Sequence, residues 1–222
     1  MMLTSAEIRR HLRGILKEKN ALDLVQWILD QALDGLGPLS SASDLAEEYR
    51  RKTYKNDSER VHALVRWAVA KNATAGFGNG LGGILTLPVT IPGSLAASLA
   101  IQAPMVGAIA KIYGHDLQDE HVRTMILLCM VGTAMEDVAK QAGIAVGNKV
   151  AIQALKALPG RVLIGINKKV GFRLLTKFGG RGVVNLVKLV PVAGGVIGGT
   201  IDGATCHAVG QTADRAFRPG DH

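Results

Sequence analysis

With 222 residues the chain holds one domain, or at most a domain with an appended arm. Apolar residues make up 48% and mean hydropathy is +0.21, towards the apolar end for a soluble protein, while Cys129 and Cys206 each stand alone in an apolar run and read as reduced core thiols of a cytoplasmic protein. The net charge of +8 is concentrated: no acid occurs between Asp137 and Asp202, and that window carries Lys140, Lys149, Lys156, Arg161, Lys168, Lys169, Arg173, Lys177, Arg181 and Lys188.

The opening residues carry Arg9, Arg10, Arg13, Lys17 and Lys19 among acids, which predicts an amphipathic helix from Thr4 or Ser5 to about Lys19 rather than a secretion signal. Leu22, Leu24, Val25, Ile28 and Leu33 keep helical spacing over Ala21–Asp34, and Gly35-Leu36-Gly37-Pro38 ends it. After Ser41–Ser43, a helix opens with Asp44, Glu47 and Glu48 and closes with Arg50, Arg51 and Lys52, a charge order that suits the helix dipole. Asn56-Asp57-Ser58 breaks it. A further amphipathic helix follows, through Val61, Leu64, Val65, Trp67 and Ala68.

Asn72 to Ala110 then runs without a single Asp, Glu, Lys, Arg or His. So apolar a stretch must be buried in protein or in lipid. A membrane span needs about 20 apolar residues. Pro88 and Pro92 split this one, Gly76–Gly83 is poor helix, and Pro104 interrupts the remainder, so neither half is a clean span. The stretch is expected to form the buried centre of a helical domain, lipid-facing at most in part. Gly78-Asn79-Gly80-Leu81-Gly82-Gly83 matches the dinucleotide pattern G-x-G-x-x-G, but it follows a helix and the next acid is Asp116, which argues against a nucleotide.

Tyr113-Gly114-His115-Asp116 ends one helix and Asp119-Glu120 opens the next. His115, Asp116, Asp119 and His121 have the look of a metal cluster, against the simpler reading that Asp116 or Asp119 caps the following helix. Met125–Val131 is apolar all round and belongs in the centre of the fold. Lys149–Leu158 is helical up to Pro159-Gly160. In Arg161–Phe178, Leu163, Ile164, Val170, Leu174, Leu175 and Phe178 share one arc, and Lys168, Lys169, Arg173 and Lys177 the other, with Val162, Ile166 and Phe172 on the basic side.

Gly179–Gly182 is a turn, and a last helix runs to about Phe217. Within it Gly194, Gly195, Gly198, Gly199 and Gly203 form a smooth groove, a tight crossing in a soluble bundle or an association face in a bilayer; Asp202 and His207 favour the soluble form. No segment alternates convincingly for a strand, Val183–Val187 being the nearest rival. The chain is expected to be all-α, a single compact multi-helix bundle over 40–218 with amphipathic helices over 1–39.

The chemistry on offer is charge complementarity, against the simpler reading that the basic side of Arg161–Lys177 is a solvated face. Arg161, Lys168, Lys169, Arg173, Lys177 and Arg181 are candidates for contact with anionic lipid or an acidic partner. Nucleic acid is disfavoured, since aromatic content is 4%, the basic segment offers only Phe172 and Phe178 for stacking, and no DNA-binding motif occurs. No catalytic, metal or cofactor site is nominated.

Several stretches, in order, carry a family resemblance: Ser43-Asp44-Leu45-Ala46, Gly80-Leu81-Gly82-Gly83, Leu87-Pro88-Val89-Thr90-Ile91-Pro92, Tyr113-Gly114-His115-Asp116, Ile166–Gly179, and Val190–Gly199 with Asp202. Together they resemble the EcsC family from about Ser40 to Phe217. The family takes its name from a bacterial protein encoded beside components of an ABC transporter. The resemblance implies a helical, non-enzymatic bacterial protein and supplies no catalytic residues. The expected function is that of an accessory or regulatory protein, peripheral on the cytoplasmic face of the membrane and linked to a membrane protein complex. The alternative is a soluble interaction module that docks an acidic partner through 161–177.

Overall fold

The computed structural model describes residues 21–35, 40–75, 93–131, 137, 140, 152–179 and 191–219, without the side chains of 21–25, 28, 72–75, 93–100, 172, 175–179 and 191–202. All regular structure among them is helical: α1 (Ala21–Asp34), α2 (Ala42–Arg51), α3 (Asp57–Ala75), α4 (Gly93–Ile112), α5 (Glu120–Met130), α6 (Ile152–Lys156), α7 (Gly160–Gly179) and α8 (Pro191–Phe217). The expected first helix, the G-x-G-x-x-G pattern and the rival strand at Val183–Val187 lie outside the described residues.

Local chemistry sets the boundaries. Gly35, at φ 96°, adopts the left-handed conformation that ends α1 without a Cβ penalty. Ser41 caps α2, its Oγ accepting from the Asp44 amide at 3.0 Å, and the Asn56 side chain accepts from the Glu59 amide at 2.9 Å to start α3. Gly114, at φ 84°, turns the chain out of α4. Asp119 then caps α5.

The centre of the bundle is α4, which packs against α1, α2, α3, α5, α7 and α8. Every residue from Ile101 to Ala110 is buried. Ile101–Ala110, the end of the charge-free stretch, is therefore held by protein. Among these ten residues the only polar side chain is Gln102. Burial of so many apolar groups, at about 25 cal/mol per Å², is the main drive for assembling the bundle. Met125–Val131 of α5 and the turn after it lie in the same core, together with both cysteines. No described helix is long and apolar enough to cross a membrane.

Two glycines set close helix crossings. A Cβ on Gly107 of α4 would meet Leu33 Cδ2 of α1 at 2.6 Å and Ala42 Cβ of α2 at 2.8 Å. One on Gly210 of α8 would meet both Val65 methyls of α3 at 2.7 Å. The smooth groove expected from glycine spacing lies further upstream on α8. Gly203 of that set is buried, while Gly194, Gly195, Gly198 and Gly199 fall where surroundings are not described. On α3, Val61, Leu64, Val65 and Ala68 are buried, but Trp67 is 38% exposed. The buried stripe of α3 is too narrow to include Trp67, which instead packs under the Lys71 ammonium, 4.6 Å from the ring centroid.

Candidate functional site

The α5–α6–α7 corner presents the basic helix. Leu158 closes the turn after α6, its amide donating to Leu155 O at 2.9 Å, and the Val162 amide donates to Pro159 O at 2.8 Å to begin α7. From the other side, His121 Nε2–H donates to Leu158 O at 3.2 Å, and His121 Nδ1 lies 3.0 Å from Asp119 Oδ1. Asp119 also accepts from the His121 amide at 2.8 Å. Burial alone would raise the Asp119 carboxyl, but these hydrogen bonds from His121 outweigh it and hold the group below its ordinary value. The corner is thereby fixed to the N-terminus of α5, and Arg123 on the next turn pairs with Asp30 of α1.

Leu163, Ile166, Val170 and Leu174 are buried, and α7 packs on α1, α4 and α5. This corrects the arc expected from spacing. Spacing puts Ile166 on the basic side, yet it is fully buried; it puts Ile164 on the apolar arc, yet it is 54% exposed. The helix sits rotated from the expected orientation, with Ile166 turned into the side on which α7 packs against its neighbours. Periodicity alone counts apolar residues without knowing where those neighbours stand.

The exposed side therefore carries Arg161, Ile164, Gly165, Lys168 and Lys169. A Cβ at Gly165 would touch nothing within 4 Å, so the face is open there. Arg173 is half-buried and lies 3.9 Å from Asp137. Of the nominated basic residues, Arg161, Lys168 and Lys169 are thus brought to one surface, and Arg173 is turned partly away. The Lys177 side chain and Arg181 lie outside the described residues.

The histidine and aspartate cluster has a structural role. Asp116 Oδ1 accepts from the Gln118 amide at 2.9 Å, and Asp119 is the cap of α5. His115 Nε2–H donates to Phe217 O at 2.9 Å, with its ring 5.3 Å from that of Phe217. Among the described residues no group of three or more His, Cys, Asp or Glu side chains is arranged to hold a metal ion.

Sequence reasoning missed the polar knot beside it. Asp214 of α8 is 5% exposed; it accepts from Tyr113 OH at 2.5 Å, pairs with Arg218, and lies 3.6 Å from His62 Nε2. Arg218 also donates to Ser58 Oγ at 2.9 Å. Burial, and next the Asp214 carboxylate, push the Tyr113 phenol well above its ordinary value. The available signal was an isolated acid among the small and apolar residues that close α8. Its partners stand 101 and 152 positions away in the chain and could not be paired by spacing.

No curated protein and no solved structure matches the chain. The family model described as the EcsC protein family matches residues 8–219 and so extends upstream of Ser40, where the resemblance was first legible. The chain is a member of the EcsC protein family.

Proposed function

We propose that the protein is a non-catalytic accessory or regulatory protein that docks peripherally on an anionic membrane surface through the outer face of α7, beside a membrane complex such as a transporter. The observation that carries this reading is the exposure of Arg161, Lys168 and Lys169 together on one helix face, in a segment without acids from Asp137 to Asp202. Each Lys or Arg near an anionic surface contributes about 1 kcal/mol. Three of them strengthen partitioning on the order of 100-fold. The fixed corner at His121 and Leu158 supports the reading by holding the helix in one orientation, so its charges act together.

Co-sedimentation with phosphatidylglycerol-containing and pure phosphatidylcholine vesicles, at low and high salt, tests it. Binding is expected to the anionic vesicles at low salt and to fall as salt shortens the screening length from about 10 Å at 0.1 M to about 3 Å at 1 M. Negligible binding under all conditions removes the reading. Fractionation of Lys168→Glu/Lys169→Glu separates it from docking on an acidic protein: the variant is expected to leave the membrane fraction. Loss of a protein partner with unchanged membrane fractionation would favour the soluble interaction module.

A further inference from the structure

We infer that α7 lies flat at the boundary between headgroups and acyl chains, with Ile164 inserted as an apolar wedge between two snorkelling cations. This rests on the membrane reading above and adds to it a hydrophobic component that charge alone does not supply. Ile164 is 54% exposed and stands out among the described residues, where the other exposed large hydrophobic is Trp67 at 38%. Its exposure is imposed by packing. With Leu163, Ile166, Val170 and Leu174 all turned into the core, residue 164, about 100° around the helix from Leu163, cannot be.

Arg161 is three residues before Ile164 and Lys168 four after it, so both flank it on the same face. Long stems of this kind lie along apolar surface while their charged heads stay in water. Beside Ile164, the bare backbone of Gly165 faces open space and lets a flat surface approach closely. An apolar residue set within a basic helix face is the pattern of helices that rest in the interface plane. An anionic bilayer supplies both halves of the required surface, phosphates above and hydrocarbon a few ångströms below. An acidic peptide satisfies the cations but offers Ile164 nothing systematic.

The chain's cysteines make the test direct. Cys129 and Cys206 are both buried, so Ile164→Cys in the full-length protein presents one accessible thiol for an environment-sensitive fluorophore. With phosphatidylglycerol-containing vesicles the emission is expected to shift to the blue and to be quenched by lipids labelled high in the acyl chain. Separately, unlabelled Ile164→Ser is expected to weaken vesicle partitioning about fivefold while keeping the wild-type salt dependence. Lys168→Gln should instead flatten the salt dependence. A thermal melt matching wild type shows that Ile164→Ser is folded.

If wild type binds vesicles but the probe does not shift and Ile164→Ser binds equally well, the wedge is wrong and the electrostatic reading stands. If wild type binds no vesicle, both fall. A probe response to polyglutamate equal to or larger than that to vesicles would also overturn the wedge, by placing an acidic chain on this face.

Discussion

Gly210 of α8 lies directly against Val65 of α3, so close that a single added methyl would sit 2.7 Å from both Val65 methyls. Val65 is β-branched and held in its rotamer by the helix, so it cannot swing aside. Among the described helices these two make the most extensive contact, and its closeness depends on this one missing side chain.

Gly210→Ala is therefore expected to destabilise the fold, although alanine in an open helix would favour it by about 1 kcal/mol. Overpacking costs about 1–3 kcal/mol and outweighs that gain. Urea denaturation measures the loss. Adding Val65→Ala should recover part of it, a coupling that a double-mutant cycle would read directly. Additive losses would show that the crossing is not limited by this contact.

The rotation of α7 gives a paired prediction. Ile166→Ala removes a fully buried side chain and should cost about 2–5 kcal/mol. Ile164→Ala, at a half-exposed position, should change stability by no more than about 0.5 kcal/mol. Equal effects in chemical denaturation would mean the helix faces the core differently.

Tyr113 and Asp214 predict an alkaline weakness. The folded phenol, raised first by burial and then by Asp214, keeps its proton above the ordinary value of 10.0, where the unfolded chain loses it. The unfolded state then binds fewer protons, so this contribution is complete below about pH 10 and falls as pH rises further. Tyr113→Phe should cost about 1 kcal/mol at neutral pH and remove this component of the alkaline decline. Stability measured from pH 8 to 11 in both proteins checks it; parallel curves would contradict the assignment.

At the acid end, Asp119 acts with the opposite sign. Its carboxyl is held below 3.8 because hydrogen bonds from His121 outweigh the opposing effect of burial. That contribution is present above the unfolded value and is lost as pH falls through the folded one. Asp119→Asn keeps a competent cap but should lose the acid-dependent component, whereas Asp119→Ala should also lose about 1 kcal/mol of capping. Thermal melts between pH 3 and 7 distinguish the two.

The amino-acid sequence by itself determined the all-α class, the family, most helix boundaries and the acid-free basic segment, because these rest on neighbours a few residues apart. Gly35 and Gly114 as helix ends, a cap for α5 at Asp116 or Asp119, and the apolar run Met125–Val131 were legible for that reason. Tertiary structure decided which way each helix faces. Ile164 and Ile166 differ by two positions and are chemically identical, so no local pattern could send one to solvent and the other to the core. That choice was made by α1, α4 and α5 packing on α7. The same holds for Tyr113 with Asp214 and for Gly210 with Val65, whose partners meet only when α8 returns along the bundle, about 100 to 150 residues later, to close against α3 and α4.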